Sequence, residues 1–181
     1  MKALLIHGWR GWSTYAWFPW LKRELETLGY SVDVPDLPDP LFPRRDRWVE
    51  MIREKLSTPD TIVIAHSLGC AATLMALEGY GGQPLHGVVF VAGFGRNFGA
   101  PGLEYWFDHA LPFEELRHRA RSWSVLHSEN DSWVPYPEGQ WLAGQLHTEI
   151  TKLPPLGHLS HPEGVFEAPP VLEAVLKMPR V

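Results

Sequence analysis

The stretch Thr61-Ile62-Val63-Ile64-Ala65-His66-Ser67-Leu68-Gly69-Cys70-Ala71-Ala72-Thr73-Leu74 constrains the rest of the chain most. Its first half is a run of β-branched and apolar residues, long enough for one strand buried on both faces. Its second half is small and helix-compatible. Between them sits Ser67, with Ala65 two residues before it and Gly69 two after. That is the layout of a sharp strand-turn-helix that lifts a serine above the end of a sheet, where larger flanking side chains would collide with neighbouring backbone. Gly69 meets this need fully, and Ala65, standing where glycine is usual, is the mildest departure from it. A helix starting at this turn also aims its unpaired N–H groups and partial positive charge at whatever reacts on the serine.

The remaining elements alternate around this one. Lys2 to Ile6 reads as a buried parallel strand followed by the loop His7-Gly8-Trp9-Arg10-Gly11-Trp12-Ser13. Pro19 opens a helix whose Trp17, Leu21, Leu25 and Leu28 recur at helical spacing, and Gly29 ends it. A second strand at 30–34 runs into a proline-rich loop, and an amphipathic helix spans 47–56 with Trp48, Met51 and Ile52 inward. After the serine helix, which Gly79-Tyr80-Gly81-Gly82 stops, a fourth strand covers 86–92. Residues 93–121 are less regular, with short helices expected near 103–109 and 113–120. Then come a fifth strand at 123–127, a helix at 137–146, a sixth strand at 148–153 and a last helix at 170–177. The alternation predicts an α/β fold, a six-stranded parallel sheet of order 2-1-3-4-5-6 with helices on both faces and right-handed crossovers. One domain over residues 1–181 is expected, since no repeat or linker divides the chain.

In such a sheet the loops at the carboxyl ends of the strands share one edge, where ligands and reactive residues collect. Ser67 follows strand three, Asp131 follows strand five and His158 follows strand six. Serine, acid, histidine is the chain order of α/β-hydrolases. The chemistry needs all three. A hydroxyl is a weak nucleophile until a base takes its proton, imidazole is the base suited to neutral pH, and a carboxylate fixes its tautomer and stabilises the imidazolium. The oxyanion that forms needs donors, for which the backbone N–H groups of Leu68 and Trp9 are the candidates. Trp12, Trp106 and Trp133, the other tryptophans nearest this edge, are candidates to wall an apolar substrate pocket, and His66 is close enough to reach it. Residues 93–110 occupy the position where α/β-hydrolases place lids, and at this length they can cover only part of the site.

Other readings stand beside these. Ser67 would also serve as a helix N-cap. His161 competes with His158 as base, and the pair could ligate a metal, though no third ligand is near in sequence. Glu129 competes with Asp131. Cys70 reads as a small buried filler, His7 as a prop for the loop after strand one, and Asp33, Asp36 and Asp39 as a solvated loop rather than a cation site.

His7-Gly8-Trp9, Ala65-His66-Ser67-Leu68-Gly69, Asp131 with Val134-Pro135, and Gly157-His158 together resemble the α/β-hydrolase superfamily. More narrowly, the length and the tryptophan-rich first loop are similar to the small serine hydrolases of the retinoblastoma-binding protein 9 and YdeN-like group. That resemblance spans nearly the whole chain. It implies a minimal α/β-hydrolase without a large cap domain and a triad of Ser67, Asp131 and His158; no cofactor or metal is expected. The expected activity is hydrolysis of small esters, thioesters or amides through an acyl-enzyme. The alternative is a protein-binding module on a hydrolase fold, although nothing in the sequence marks a protein partner.

Composition excludes other classes. A net charge of -5 leaves no basic footprint for nucleic acid, and the short apolar run before His7 is too brief for a signal peptide core or a membrane span. With one cysteine no internal disulfide can form, which fits a reducing compartment. A cytoplasmic protein acting on a small acyl substrate, with no membrane association, is expected.

Overall fold

A computed structural model describes residues 1–56 and 58–179. Six strands form one parallel sheet: β1 (Lys2–Ile6), β2 (Ser31–Asp33), β3 (Thr61–His66), β4 (Gly87–Val91), β5 (Trp123–Ser128) and β6 (Ile150–Leu153). Their order is β2-β1-β3-β4-β5-β6, as the alternation predicts. The central strands are apolar on both faces because both faces are covered. On one face Leu4, Ile6, Val63, Ala65, Val88, Phe90 and Val125 pack against α2 (Arg45–Lys55), α3 (Leu68–Glu78) and α5 (Tyr136–Gln145). On the other, Ala3, Leu5, Ile62, Ile64, Val89, Val91 and Leu126 meet α1 (Phe18–Thr27) and α6 (Pro169–Leu176). Odd and even positions of one strand thus serve two cores, the period-2 alternation of β structure.

Helix α1 buries Phe18, Leu21 and Leu25 and keeps its charged residues outward. Each fully buried leucine there contributes about 1.5–3 kcal/mol. Helix α3 is different, with every residue from Leu68 to Leu77 buried. It is wedged between the sheet and α2, so it shows no polar face, and its orientation fixes the start of the helix against the end of β1. Register supports the same point: Ile6 pairs with Ala65 and His66 with Val91, so β1, β3 and β4 end level at the edge where Ser67 sits.

The edge strands are shorter than the sequence suggests. Strand β2 is Ser31–Asp33 and β6 begins at Ile150. The helix expected near 103–109 is absent, and those residues form turns and bends. Gly102 at φ +89 breaks the path, and the segment is strapped across to the start of α2 instead. The Tyr105 hydroxyl donates to the Pro43 carbonyl and accepts the Arg45 N–H, while the Arg45 guanidinium donates to the Trp106 carbonyl and to Asp108. A short helix α4 (Phe113–Leu116) and a 3-10 turn (Arg117–Arg119) follow, within the second expected helix. The molecule is a single small α/β domain with no large cap.

Candidate active site

Strand β3 runs straight into Ser67, which takes φ 54 and ψ -126. A non-glycine residue in this region is strained, and a strained residue held by rigid surroundings is typical of reactive positions. Two glycines make the turn possible. A Cβ on Gly69 would lie 2.5 Å from the His7 carbonyl and 2.8 Å from that of Ile6, so the first turn of α3 rests directly on the end of β1. A Cβ on Gly8 would lie 2.7 Å from the Ser67 Cβ, so the loop after β1 presses against the serine itself. Ala65 is fully buried, and its methyl is accommodated.

The Ser67 side chain makes no capping bond to α3. Its hydroxyl lies 2.9 Å from His158 Nε2, and His158 Nδ1 lies 2.7 Å from Asp131 Oδ2. The hydrogen-bond chain fixes the protons: Nδ1–H donates to the carboxylate, and the serine hydroxyl donates to Nε2. All three residues are buried, between 7% and 9% exposed. Asp131 Oδ1 accepts the N–H groups of Trp133 and Val134, each at 2.9 Å. Burial works against the Asp131 charge, but His127, His158 and the Val134 N–H outweigh it and hold the carboxyl below the usual range. The two rivals have other partners. His161 meets Phe166 edge-on, ring centroids 5.1 Å apart, and Glu129 faces Lys152 at 2.7 Å.

The loop carrying His158 is anchored at several points. Trp17 Nε1–H donates to the Leu159 carbonyl at 3.0 Å, and Asn130 Oδ1 accepts the Gly157 N–H at 3.0 Å. His66 Nε2–H donates to the His158 carbonyl at 2.8 Å. His66 is therefore not the pocket residue expected from its place beside Ser67. It is 4% exposed, packed edge-on against Trp17 and 4.8 Å from the His158 ring. Burial first, and the neighbouring His158 second, push its pKa down to about 3.

The loop after β1 is held by His7, whose Nδ1–H donates to the Gly8 carbonyl at 2.9 Å and whose Nε2 accepts the Leu37 N–H at 2.9 Å. Burial lowers its pKa. Outside the helices and strands, the N–H groups of Leu68 and Trp9 make no backbone hydrogen bond among the described residues. Cys70 is a buried filler whose thiol donates to the Ala65 carbonyl, and burial raises its pKa. Asp33, Asp36 and Asp39 are engaged separately, with Lys55, the Ser13 N–H and Arg47, and form no cluster.

The four candidate wall residues separate into two groups. Trp12 and Trp133 are exposed, at 46% and 62%, and the Trp133 ring centroid lies 6.4 Å from that of His158. Trp106, like His66, is not at the surface. It is 1% exposed and packs edge-on against Trp48, because the Tyr105 and Arg45 straps turn it into the core. Trp12 lines an open cleft of about 400 Å³ with Asp39, Pro40, Leu41 and Phe42.

The family model described as serine hydrolase matches residues 3–177. The chain belongs to the serine hydrolase family. Sequence alignment of this hydrolase with YdeN, a hydrolase of Bacillus subtilis (strain 168), gives 35% identity over 97% of this chain and 94% of that protein. The serine hydrolase RBBP9 of Rattus norvegicus is 23% identical, over 90% of this chain and 89% of its own. The crystal structure of B. subtilis YdeN superimposes with a TM-score of 0.91 at 30% identity, over 98% of this chain and 97% of that one. A YdeN-like hydrolase from Pectobacterium atrosepticum shares the fold at a TM-score of 0.73 and 20% identity, over 98% and 89%. The chain is thus a hydrolytic enzyme on a small α/β-hydrolase fold. Among the described residues no helix is long and apolar enough to cross a membrane.

Local pattern assigns no site role to His127 or Asn130 and reads Trp17 only as part of an apolar helix face. Asn130 is adjacent to the acid, and an Asx side chain there could have been read as a turn anchor. Trp17 carries no such signal, since its partner Leu159 is 142 residues away.

Proposed function

We propose that this hydrolase cleaves small carboxylic esters through an acyl-enzyme, with Ser67 as nucleophile, His158 as general base and acid, and Asp131 orienting the imidazole. The observation that carries this reading is the unbroken hydrogen-bond chain from Asp131 through His158 to Ser67, at 2.7 and 2.9 Å, on a strained turn at the end of a parallel sheet. His158 Nε2 takes the hydroxyl proton as Ser67 Oγ attacks the carbonyl carbon. The resulting oxyanion accepts the Leu68 and Trp9 N–H groups, and each such donor is worth about a hundredfold to a thousandfold in rate. The tetrahedral intermediate then expels the alcohol, which takes the proton from His158. Water, deprotonated by the same imidazole, attacks the acyl ester and restores Ser67.

Trp133, beside His158, offers apolar surface to the ester's substituents. Small apolar acyl or alcohol groups suit this wall. The test is hydrolysis of p-nitrophenyl acetate and butyrate by wild type and Ser67→Ala. Wild-type turnover that falls to background in the variant is expected. Equal rates in the two proteins would end the proposal. Thioesters and amides run in the same panel define the scissile bond.

A further inference from the structure

Asp131 accepts more donors than this mechanism uses. Besides His158 Nδ1, the Nε2 of a second imidazole, that of His127, lies 3.2 Å from Oδ2. His127 is on β5 and is fully buried. Its Nε2 also lies 2.9 Å from the Val134 carbonyl. Both neighbours are acceptors only, so Nε2 must carry the proton. The other nitrogen, Nδ1, is buried without a partner among the described residues and faces Gly139 of α5, where even a Cβ would come within 2.3 Å of it. A proton on Nδ1 would be an unpaired buried donor, which is costly. Tyr136 stands edge-on to the ring at 5.9 Å and 88°. An apolar side chain would fill this site without stranding a nitrogen, so the imidazole is present for its one N–H.

That N–H closes a small ring of bonds. Val134 donates its own N–H to Asp131 Oδ1 while its carbonyl accepts from His127, and His127 reaches Oδ2 of the same carboxylate. We propose that His127 is a positioning residue for the triad: its Nε2–H, shared between Asp131 Oδ2 and the Val134 carbonyl, locks the carboxylate rotamer and competes with His158 for one oxygen. The pull of Asp131 on the base is thereby set by two imidazoles, not one. This rests on the triad reading above.

The test compares His127→Phe, which keeps a ring and loses the donor, with His127→Gln, whose amide restores an N–H near the Nε2 position. Rates are normalised to sites titrated with a fluorophosphonate. For p-nitrophenyl acetate, kcat is expected to fall about tenfold to a hundredfold in the Phe variant, the worth of one hydrogen bond to a charged group. KM should stay nearly constant, and the Gln variant should recover most of the loss. The 1H NMR signal of the proton between His158 and Asp131 should shift in the Phe variant and return in the Gln variant. A purely structural role would lower the melting temperature of both variants and leave kcat per titrated site unchanged, which would overturn the proposal. Should the Phe variant not fold, 15N NMR of the wild-type imidazoles decides, because a proton on His127 Nδ1 contradicts the assignment. Failure of the wild type to react with the fluorophosphonate would instead remove the triad reading beneath it.

Discussion

Ser67, His158 and Asp131 come from three strand ends that are 64 and 27 residues apart in sequence, and the sheet alone brings them within hydrogen-bonding range. Each carries a distinct burden. Asp131 accepts three hydrogen bonds and has His127 Nε2 3.2 Å from Oδ2, so Asp131→Asn replaces an acceptor with an amide that must turn N–H groups toward other donors. Ester turnover should fall by roughly a thousandfold to ten-thousandfold, as expected when a triad histidine loses its tautomer control. Steady-state rates with p-nitrophenyl butyrate check this, and a loss under tenfold would assign the orienting role elsewhere. Gly69 bears a steric load instead. A Cβ added there would meet two backbone carbonyls, which cannot rotate away as a side chain would. Gly69→Ala should cost about 1–3 kcal/mol in urea unfolding and depress activity together with stability. An unchanged midpoint would show that β1 yields.

The elements most readable in the sequence were those with strong local patterns. Thr61–His66 and Lys2–Ile6 are continuous apolar runs, and both strands appear where those runs predict them. The order of serine, acid and histidine was legible because each follows a strand end, a local feature. What could not be read was tertiary. A short helix is expected near 103–109, yet long-range bonds from Arg45 and Tyr105 hold these residues as turns and draw Trp106 inward. His66 lies next to the serine in sequence, but strand alternation sends its ring to the Trp17 face. The loop that carries His158 depends on partners no local pattern reveals, among them Asn130. Asn130→Ala removes the acceptor for the Gly157 N–H and should lower kcat roughly fivefold to tenfold, with little change in KM. A kcat equal to wild type would show that Trp17 and His66 anchor the loop without it.

Protonation couples the two cores of the whole molecule to the site. His66, whose pKa burial pushes down to about 3, stays uncharged in the fold while the unfolded chain binds a proton below the ordinary value of 6.5. His7 is shifted in the same direction by its burial. For His66 the unfolded state therefore binds more protons across this window, and stability falls as pH drops from about 6.5 toward 3, by up to about 1.4 kcal/mol per pH unit, with His7 adding in the same sense. Asp131 acts in the same sense at lower pH, since its lowered pKa gives stability that is lost as the carboxylate protonates. His109 runs the other way, raised by Asp108 and Glu78, but it is exposed and solvent screens its effect. Urea unfolding between about pH 7 and pH 4.5 should show the decline, and His66→Gln, which keeps an N–H and does not titrate, should flatten it. An unaltered slope in that variant would move the acid sensitivity to other groups. The most direct measurement of all concerns the stretch around Ser67: reaction with a fluorophosphonate probe, followed by mapping of the modified residue by mass spectrometry. One adduct on Ser67, absent from Ser67→Ala, is the expected result. An adduct on any other residue, or undiminished labelling of the variant, would contradict the assignment of Ser67 as nucleophile.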